Sequence, residues 1–354
     1  MTSLYLQRYC ESGQRALRIA SNSSTAILEP NLNQPLAAVL AESLQQSAGT
    51  HRGLTRGSIQ YDDAGKPVSC RLHVLTIGVS AYEHHPELEL AFADDDSDAL
   101  FEAYGQLCSD PSSKENKGCL FQRGEFRNLK NEEATRGAII DAIEGISRKA
   151  SDKDLVIVSL SGHGTVDESG SFYFLPADYR DGSLRSSAIW DEELRDMLTR
   201  SKSNSILVLD ACHSGAATTT GTRDATTQQL HNALYRFTSA QKGLVVLAAS
   251  LSSQTASENP RYGHGVLTLA LLEALQGKYN DAALAESQAR NVAVPFLPRP
   301  QDSSGLITLA DIQYYIGSRV EGLTGGKQRA TMNRLGGDLS MRDIPIRFQS
   351  NDAN

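Results

Sequence analysis

The feature that most constrains this chain is a pair of short apolar runs that stop abruptly in polar, glycine-flanked motifs. Residues 154–160 (DLVIVSL) lead into Ser161-Gly162-His163-Gly164, and residues 205–210 (SILVLD) lead into Ala211-Cys212-His213-Ser214-Gly215. Apolar runs of this length without polar alternation read as strands buried on both faces. Two more runs of the same kind occur, RLHVLTIGVS from Arg71 and GLVVLAA from Gly243, and helical patterns at 94–107, 132–148, 190–200 and 265–275 lie between or after the four. The alternation predicts an α/β fold with a mostly parallel central sheet and helices on both faces. In such sheets ligands bind outside the carboxyl ends of the strands, which is where both polar motifs fall.

The motifs have the residue types that thiol acyl transfer needs. Glycines beside His163 let its backbone approach a substrate, and a Cys at the mouth of a strand, followed by Ser and Gly, sits where backbone N–H groups can face an oxyanion. A thiol of ordinary pKa, about 8.5, is only a few per cent thiolate at neutral pH, so it needs an imidazole or N–H dipoles beside it; the imidazole must also protonate the leaving amine. A lone Cys is ordinarily an inert small hydrophobe and a lone His an ordinary hydrogen-bonded residue. Two such motifs, each closing an apolar strand and 49 residues apart, are not what packing alone produces. Other chemistries fit less well. Zinc on Cys212, His213 and His163 lacks suitably spaced further ligands, and adjacent residues of a turn point apart. A serine hydrolase would need GxSxG, and GGK at 325–327 has neither the spacing nor the Ser/Thr of a P-loop. Transfer of the acyl group to an amine rather than water is not separable from hydrolysis on these residues. A catalytically silent scaffold or regulatory binding protein is the alternative from another class.

These segments resemble the caspase-like cysteine peptidases of the metacaspase and prokaryotic caspase branch. SGHG at 161–164 and DACHSG at 210–215 match its histidine and cysteine boxes. HVLTIGVSAY, AFADDDSDAL, FLPAD, ASLSSQTASE and GHGVLTLALLEAL extend the likeness over residues 71–347. In caspases the His lies about 50 residues upstream of the nucleophile. The resemblance implies a caspase-hemoglobinase fold with Cys212 as nucleophile, His163 as general acid and base, and the N–H groups of Cys212 and Gly164 as oxyanion hole, with His213 a bystander. It also implies a pocket for a basic residue built from Asp210, Asp96 and Ser250, with Asp94, Asp95 and Asp98 as register alternatives to Asp96 and Asp178 a lesser candidate. Two carboxylates left unpaired by a substrate without a cation would cost about 3 to 5 kcal/mol, roughly a hundredfold to a few thousandfold in rate. The structural alternatives are a strand-end cap for Asp210 and helix N-terminal acids for the 94–98 run. No cofactor or metal is expected, although calcium activates some members of the branch. Residues 216–242 take the place of the linker between large and small subunits, and Arg223, Arg236 and Lys242 offer self-cleavage sites to a basic-specific enzyme, as in a zymogen. The expectation is a cysteine endopeptidase that cleaves protein substrates after Arg or Lys, in a programmed-death or prokaryotic defence pathway, switched by an activating protease or regulatory partner.

Outside this region the chain reads as an N-terminal accessory region (1–70), with helical patterns at 4–20 and 35–46 and a hairpin signal from Ser58, and a short tail at 348–354. Residues 276–305, polar with three prolines, read as loose, and the stretch from Gly322 is expected to wrap back through Ile344 and Ile346. A net charge of -8 with no Lys/Arg cluster argues against a nucleic-acid partner. No apolar run is long enough to span a bilayer and no signal core precedes a cleavage site, so no membrane partner is expected. Five cysteines without CxxC spacing are expected to be reduced thiols, in keeping with a cytoplasmic location.

Overall fold

A computed structural model describes residues 70–109, 120–211, 243–251, 261–300, 306–332 and 344–348. The first strand, β1 (Arg71–Gly78), is buried at every position after Arg71. It is followed by helix α1 (Ala93–Gly105), the two-residue β2 (Cys108–Ser109), β3 (Phe121–Lys130), α2 (Arg136–Lys149) and β4 (Leu155–Ser161), the last buried throughout. A small antiparallel sheet then leaves the main one, β5 (Gly164–Val166), β6 (Phe172–Phe174) and, after the single turn α3 (Leu184–Ser187), β7 (Ile189–Trp190). The chain returns through α4 (Asp191–Thr199) to β8 (Asn204–Asp210), and resumes with β9 (Leu244–Leu251), α5 (Val266–Gln276) and α6 (Asp281–Ala289). It ends in β10 (Leu306–Thr308), α7 (Leu309–Thr324), β11 (Gln328–Met332) and β12 (Pro345–Phe348).

The main sheet has the order β11-β9-β8-β4-β1-β3-β2. The five longer strands β3, β1, β4, β8 and β9 are parallel, the short β2 continues them, and only β11 runs antiparallel. Helices α1, α5 and α7 pack in one layer and α2 with α4 in another, the covering that a sheet with unalternating apolar strands requires. The four apolar runs are thus β1, β4, β8 and β9, and each of the four helical patterns is a helix.

One expectation changes, and one strand had no apolar run to announce it. Residues 276–305 are not loose throughout: α6 occupies 281–289, capped by the Asn280 side chain, which accepts from the Ala283 N–H. The β3 strand has few apolar residues and carries mostly half-exposed side chains, so it gave no apolar run to read. The C-terminal stretch does wrap back: β12 pairs antiparallel with β10, and Ile344 and Ile346 are buried. The 1–70 region except Cys70, and the 216–242 linker, lie outside the described residues.

The core of the second half holds a buried ion pair. Arg319 of α7 donates from Nε to Glu273 Oε2 at 2.7 Å and from a terminal nitrogen to Oε1 at 2.9 Å. Tyr315 donates to the same Oε2 at 2.6 Å, and the Asn280 N–H donates to Oε1 at 2.8 Å. Arg319 also reaches Ser287 Oγ at 3.1 Å. With both charges neutralised and hydrogen-bonded, the pair ties α5, α6 and α7 into one unit.

Candidate active site

The carboxyl ends of three parallel strands lie in one row, with Gly78 of β1 paired to Ser161 of β4 and Ser161 to Asp210 of β8. The segments that leave these strand ends carry the candidate site residues. After β4, the His163 backbone is fixed on both sides: its N–H donates to the Tyr82 hydroxyl at 2.9 Å, and its carbonyl accepts from the Leu175 N–H at 2.9 Å. The ring is buried, tilted against that of Tyr82 with centroids 5.4 Å apart. Its Nε2 lies 2.9 Å from the Leu88 carbonyl. A carbonyl only accepts, so Nε2 carries the proton and Nδ1 is the basic nitrogen of the neutral ring. Burial pushes the Tyr82 phenol far above its ordinary pKa, which keeps it neutral as the acceptor of the His163 N–H.

Gly164 explains why the histidine motif needs a second glycine. A Cβ there would meet the Phe172 ring and lie 2.5 Å from the Ala211 carbonyl oxygen. The backbone beside His163 therefore touches the residue that immediately precedes Cys212. The Gly162 N–H adds a bond at 3.2 Å to the Asp210 carbonyl, so both motifs are joined through the main chain. Cys212 itself lies outside the described residues, as do Arg223, Arg236 and Lys242. Ser250 is in β9, opposite Arg329 of β11.

Gly78 brings α1 to the same row, since a Cβ on it would meet the Ala93 carbonyl and lie 2.6 Å from Ser97 Oγ. The acidic run at the start of α1 then divides. Asp94 is held by Ser80 Oγ at 2.5 Å and Asn131 Nδ2 at 3.1 Å; Asp98 takes Asn128 Nδ2 and Lys130 Nζ, both at 2.6 Å; Asp95 is exposed. Asp96 alone turns inward, 3% exposed, toward Asp210, which is 5% exposed. Of the four acids in the run, Asp96 is thus the one that lies buried beside Asp210. The two carboxylates flank Gly265 at the start of α5, where a Cβ would lie 2.7 Å from Asp210 Oδ2 and 2.9 Å from Asp96 Oδ2. Asp210 Oδ2 accepts from the Thr268 N–H at 3.1 Å and its hydroxyl at 2.8 Å, so it does cap a helix end, that of α5. Asp96 accepts from the Gly265 N–H at 3.1 Å on Oδ2 and from His264 Nδ1 at 2.8 Å on Oδ1. Burial raises the Asp96 pKa to about 7, with Asp210 adding to the rise and the His264 and Gly265 hydrogen bonds opposing it.

Asp178, the lesser candidate, accepts from the Arg136 N–H at 2.8 Å and so serves the start of α2 instead. Sequence reasoning missed Tyr82, the Leu88 carbonyl, His264 and Thr268 as supporting groups. The first sat unremarked in HVLTIGVSAY, and the last two in GHGVLTLALLEAL; a backbone carbonyl leaves no signal in side-chain identity. Among the described residues no three His, Cys, Asp or Glu side chains converge as a metal site.

The caspase domain family matches residues 71–303, more than half of the chain, and the chain belongs to that family. Its fold is the caspase fold, a parallel sheet of five main strands with flanking helices, and membership implies a cysteine peptidase class and protein substrates. Among solved structures it is similar to protein GSU0716 of Geobacter sulfurreducens, at 14% identity over 79% of this chain and 100% of that one, with a TM-score of 0.49. It is also similar to caspase-1 of Spodoptera frugiperda, at 13% identity over 81% and 92% of the two chains, with a TM-score of 0.44. No curated protein matches significantly. No helix among the described residues is long and apolar enough to cross a membrane.

Proposed function

We propose that the chain is a cysteine endopeptidase of the metacaspase and prokaryotic caspase branch that cleaves protein substrates after Arg or Lys, with Cys212 as nucleophile and His163 as acid and base. The observation that carries this reading is the contact between Gly164 and Ala211, which joins the histidine motif to the residue next to Cys212. The hydrogen bond from Nε2 to the Leu88 carbonyl supports Nδ1 as the nitrogen that transfers the proton. The Cys212 proton passes to Nδ1, and the thiolate attacks the scissile carbonyl carbon. The N–H groups of Cys212 and Gly164 receive the charge that develops on its oxygen. Collapse of the tetrahedral adduct breaks the C–N bond, with the imidazolium giving its proton to the leaving amine. Water, deprotonated by the same Nδ1, then hydrolyses the thioester.

The convergence of Asp96 and Asp210 supports a basic residue on the amino side of the cut, because a guanidinium or ammonium can neutralise both, whereas an acidic residue meets like charge. Cleavage in 216–242, at Arg223, Arg236 or Lys242, would suit the same specificity and make the chain a zymogen.

The test is hydrolysis of fluorogenic peptides ending in Arg, Lys or Asp by the full chain and by Cys212→Ala, each with and without calcium. Activity on Arg and Lys peptides that vanishes in the variant is expected. Activity on Asp peptides would overturn the pocket assignment, and activity that survives Cys212→Ala would overturn the nucleophile.

A further inference from the structure

We propose that His264 is a positioning residue for substrate specificity: its Nδ1–H fixes the Asp96 carboxylate beside Asp210, ready for a basic substrate side chain. This role rests on the proposed basic pocket and adds to it a residue that the sequence motifs did not single out.

The two carboxylates are not equivalent. Asp210 has strong neutral support, since its Oδ2 takes both the N–H and the hydroxyl of Thr268 in the first turn of α5. Asp96 has the Gly265 N–H, at 3.1 and 3.3 Å from its two oxygens, and His264. It is buried beside a second acid. That environment favours the protonated form, and a protonated acid offers a cation little. The groups around it can be followed element by element. On α1, Asp94 and Asp98 are occupied by Ser80, Asn131, Asn128 and Lys130, and Asp95 is exposed. From β8 comes Asp210, of like charge. Beyond β4, His163 directs its Nε2 to the Leu88 carbonyl. Facing Asp96 from the segment before α5 is His264, whose side chain is 22% exposed while that of Asp96 is 5% exposed. Among the described residues, His264 is the side chain that donates to Asp96.

Removing the imidazole should therefore leave Asp96 protonated over a wider pH range and weaken cation binding where the wild-type carboxylate is ionised. Asparagine can place a side-chain N–H close to where Nδ1 stands, and should restore the carboxylate without an imidazole.

Benzamidine, a small amidinium, can probe the pocket by calorimetry in the full-length Cys212→Ala protein, which removes turnover from the measurement. Binding is expected to fall as pH drops through about 7, the raised value for Asp96. Adding His264→Ala should weaken binding at pH 7 about tenfold, the scale of one hydrogen bond to a charged group, move the midpoint upward, and let affinity recover at alkaline pH. Adding His264→Asn should return the midpoint most of the way. An unchanged midpoint and affinity in His264→Ala, or tighter binding at pH 7, would overturn the role of His264 alone. Absence of benzamidine binding in the Cys212→Ala protein, or binding indifferent to both Asp96→Asn and Asp210→Asn, would overturn the basic pocket and the proposal with it.

Discussion

His163 is held at three points, and each uses a different kind of group: the Tyr82 hydroxyl at its N–H, the Leu175 N–H at its carbonyl and the Leu88 carbonyl at Nε2. Only the first can be removed without rebuilding the main chain. Tyr82→Phe keeps the ring against the imidazole but leaves the buried His163 N–H without its acceptor, a loss of about 1 to 3 kcal/mol. In the proposed mechanism Tyr82 acts through His163 and not on substrate, so the effect belongs in kcat. Steady-state kinetics on an Arg peptide should show kcat lowered about tenfold or more, with KM and the preference for Arg over Asp little changed. A matching rise in KM would place Tyr82 in substrate binding instead. At this scale the sequence was enough to single out the proposed reacting residues, since a His between glycines and a Cys after a strand have few structural reasons to exist. It did not show the residues that hold His163 and the two buried carboxylates. Tyr82, His264 and Thr268 are ordinary residue types in ordinary local patterns, and their roles come from contacts across 81, 168 and 58 positions of the chain.

Elements were legible in proportion to their burial. The β1, β4, β8 and β9 strands announce themselves because covered strands have no polar face. The β3 strand, FQRGEFRNLK, is half exposed and charged, and its place depends on pairing with β1 through an irregularity between Leu72 and Val74. At that irregularity the Glu125 N–H donates to His73 Nδ1 at 3.1 Å, and His73 Nε2 faces Asp154 Oδ2 at 3.6 Å. Asp154 thus helps hold the amino ends of β1 and β4 together. It accepts from the Arg71 N–H at 2.9 Å and from the Ser151 N–H and hydroxyl, each at 2.8 Å. Burial opposes its ionisation, but these contacts outweigh it and lower its pKa from 3.8 to about 2. A carboxylate depressed by folding stabilises the native state above its unfolded pKa, and that contribution is lost as pH falls through the folded one. Asp154→Asn should therefore cost about 2 kcal/mol at neutral pH, with the difference from wild type closing between about pH 4 and pH 2. Asp96 acts with the opposite sign, since a raised carboxyl favours the native state at lower pH. The informative quantity is accordingly the difference between urea denaturation curves of variant and wild type across pH. A constant difference down to pH 2 would remove Asp154 ionisation as the cause.

At the scale of the whole molecule, α5 joins the site to the core. Its first turn carries Gly265 and Thr268 against the two carboxylates, and its last carries Glu273 into the network with Arg319, Tyr315 and Ser287. In the same last turn, the Ala274 carbonyl accepts from Arg347 Nε of β12 at 2.8 Å. The C-terminal third therefore clamps one end of the helix whose other end meets Asp96 and Asp210. A buried ion pair is weak evidence of stability in itself, but breaking one side strands the other charge. Arg319→Leu should lower global stability by about 3 to 5 kcal/mol, whereas joint replacement of Glu273 by Gln and Arg319 by Leu should recover much of the loss, because no unpaired charge remains. If α5 transmits position to the pocket, the double variant should also bind benzamidine more weakly in the Cys212→Ala background, even at a temperature where circular dichroism shows it fully folded. Stability restored with unaltered benzamidine affinity would mean that Thr268 and Gly265 are held in place from the pocket side alone, by Asp210 and Asp96. The clamp would then serve the fold and not the specificity.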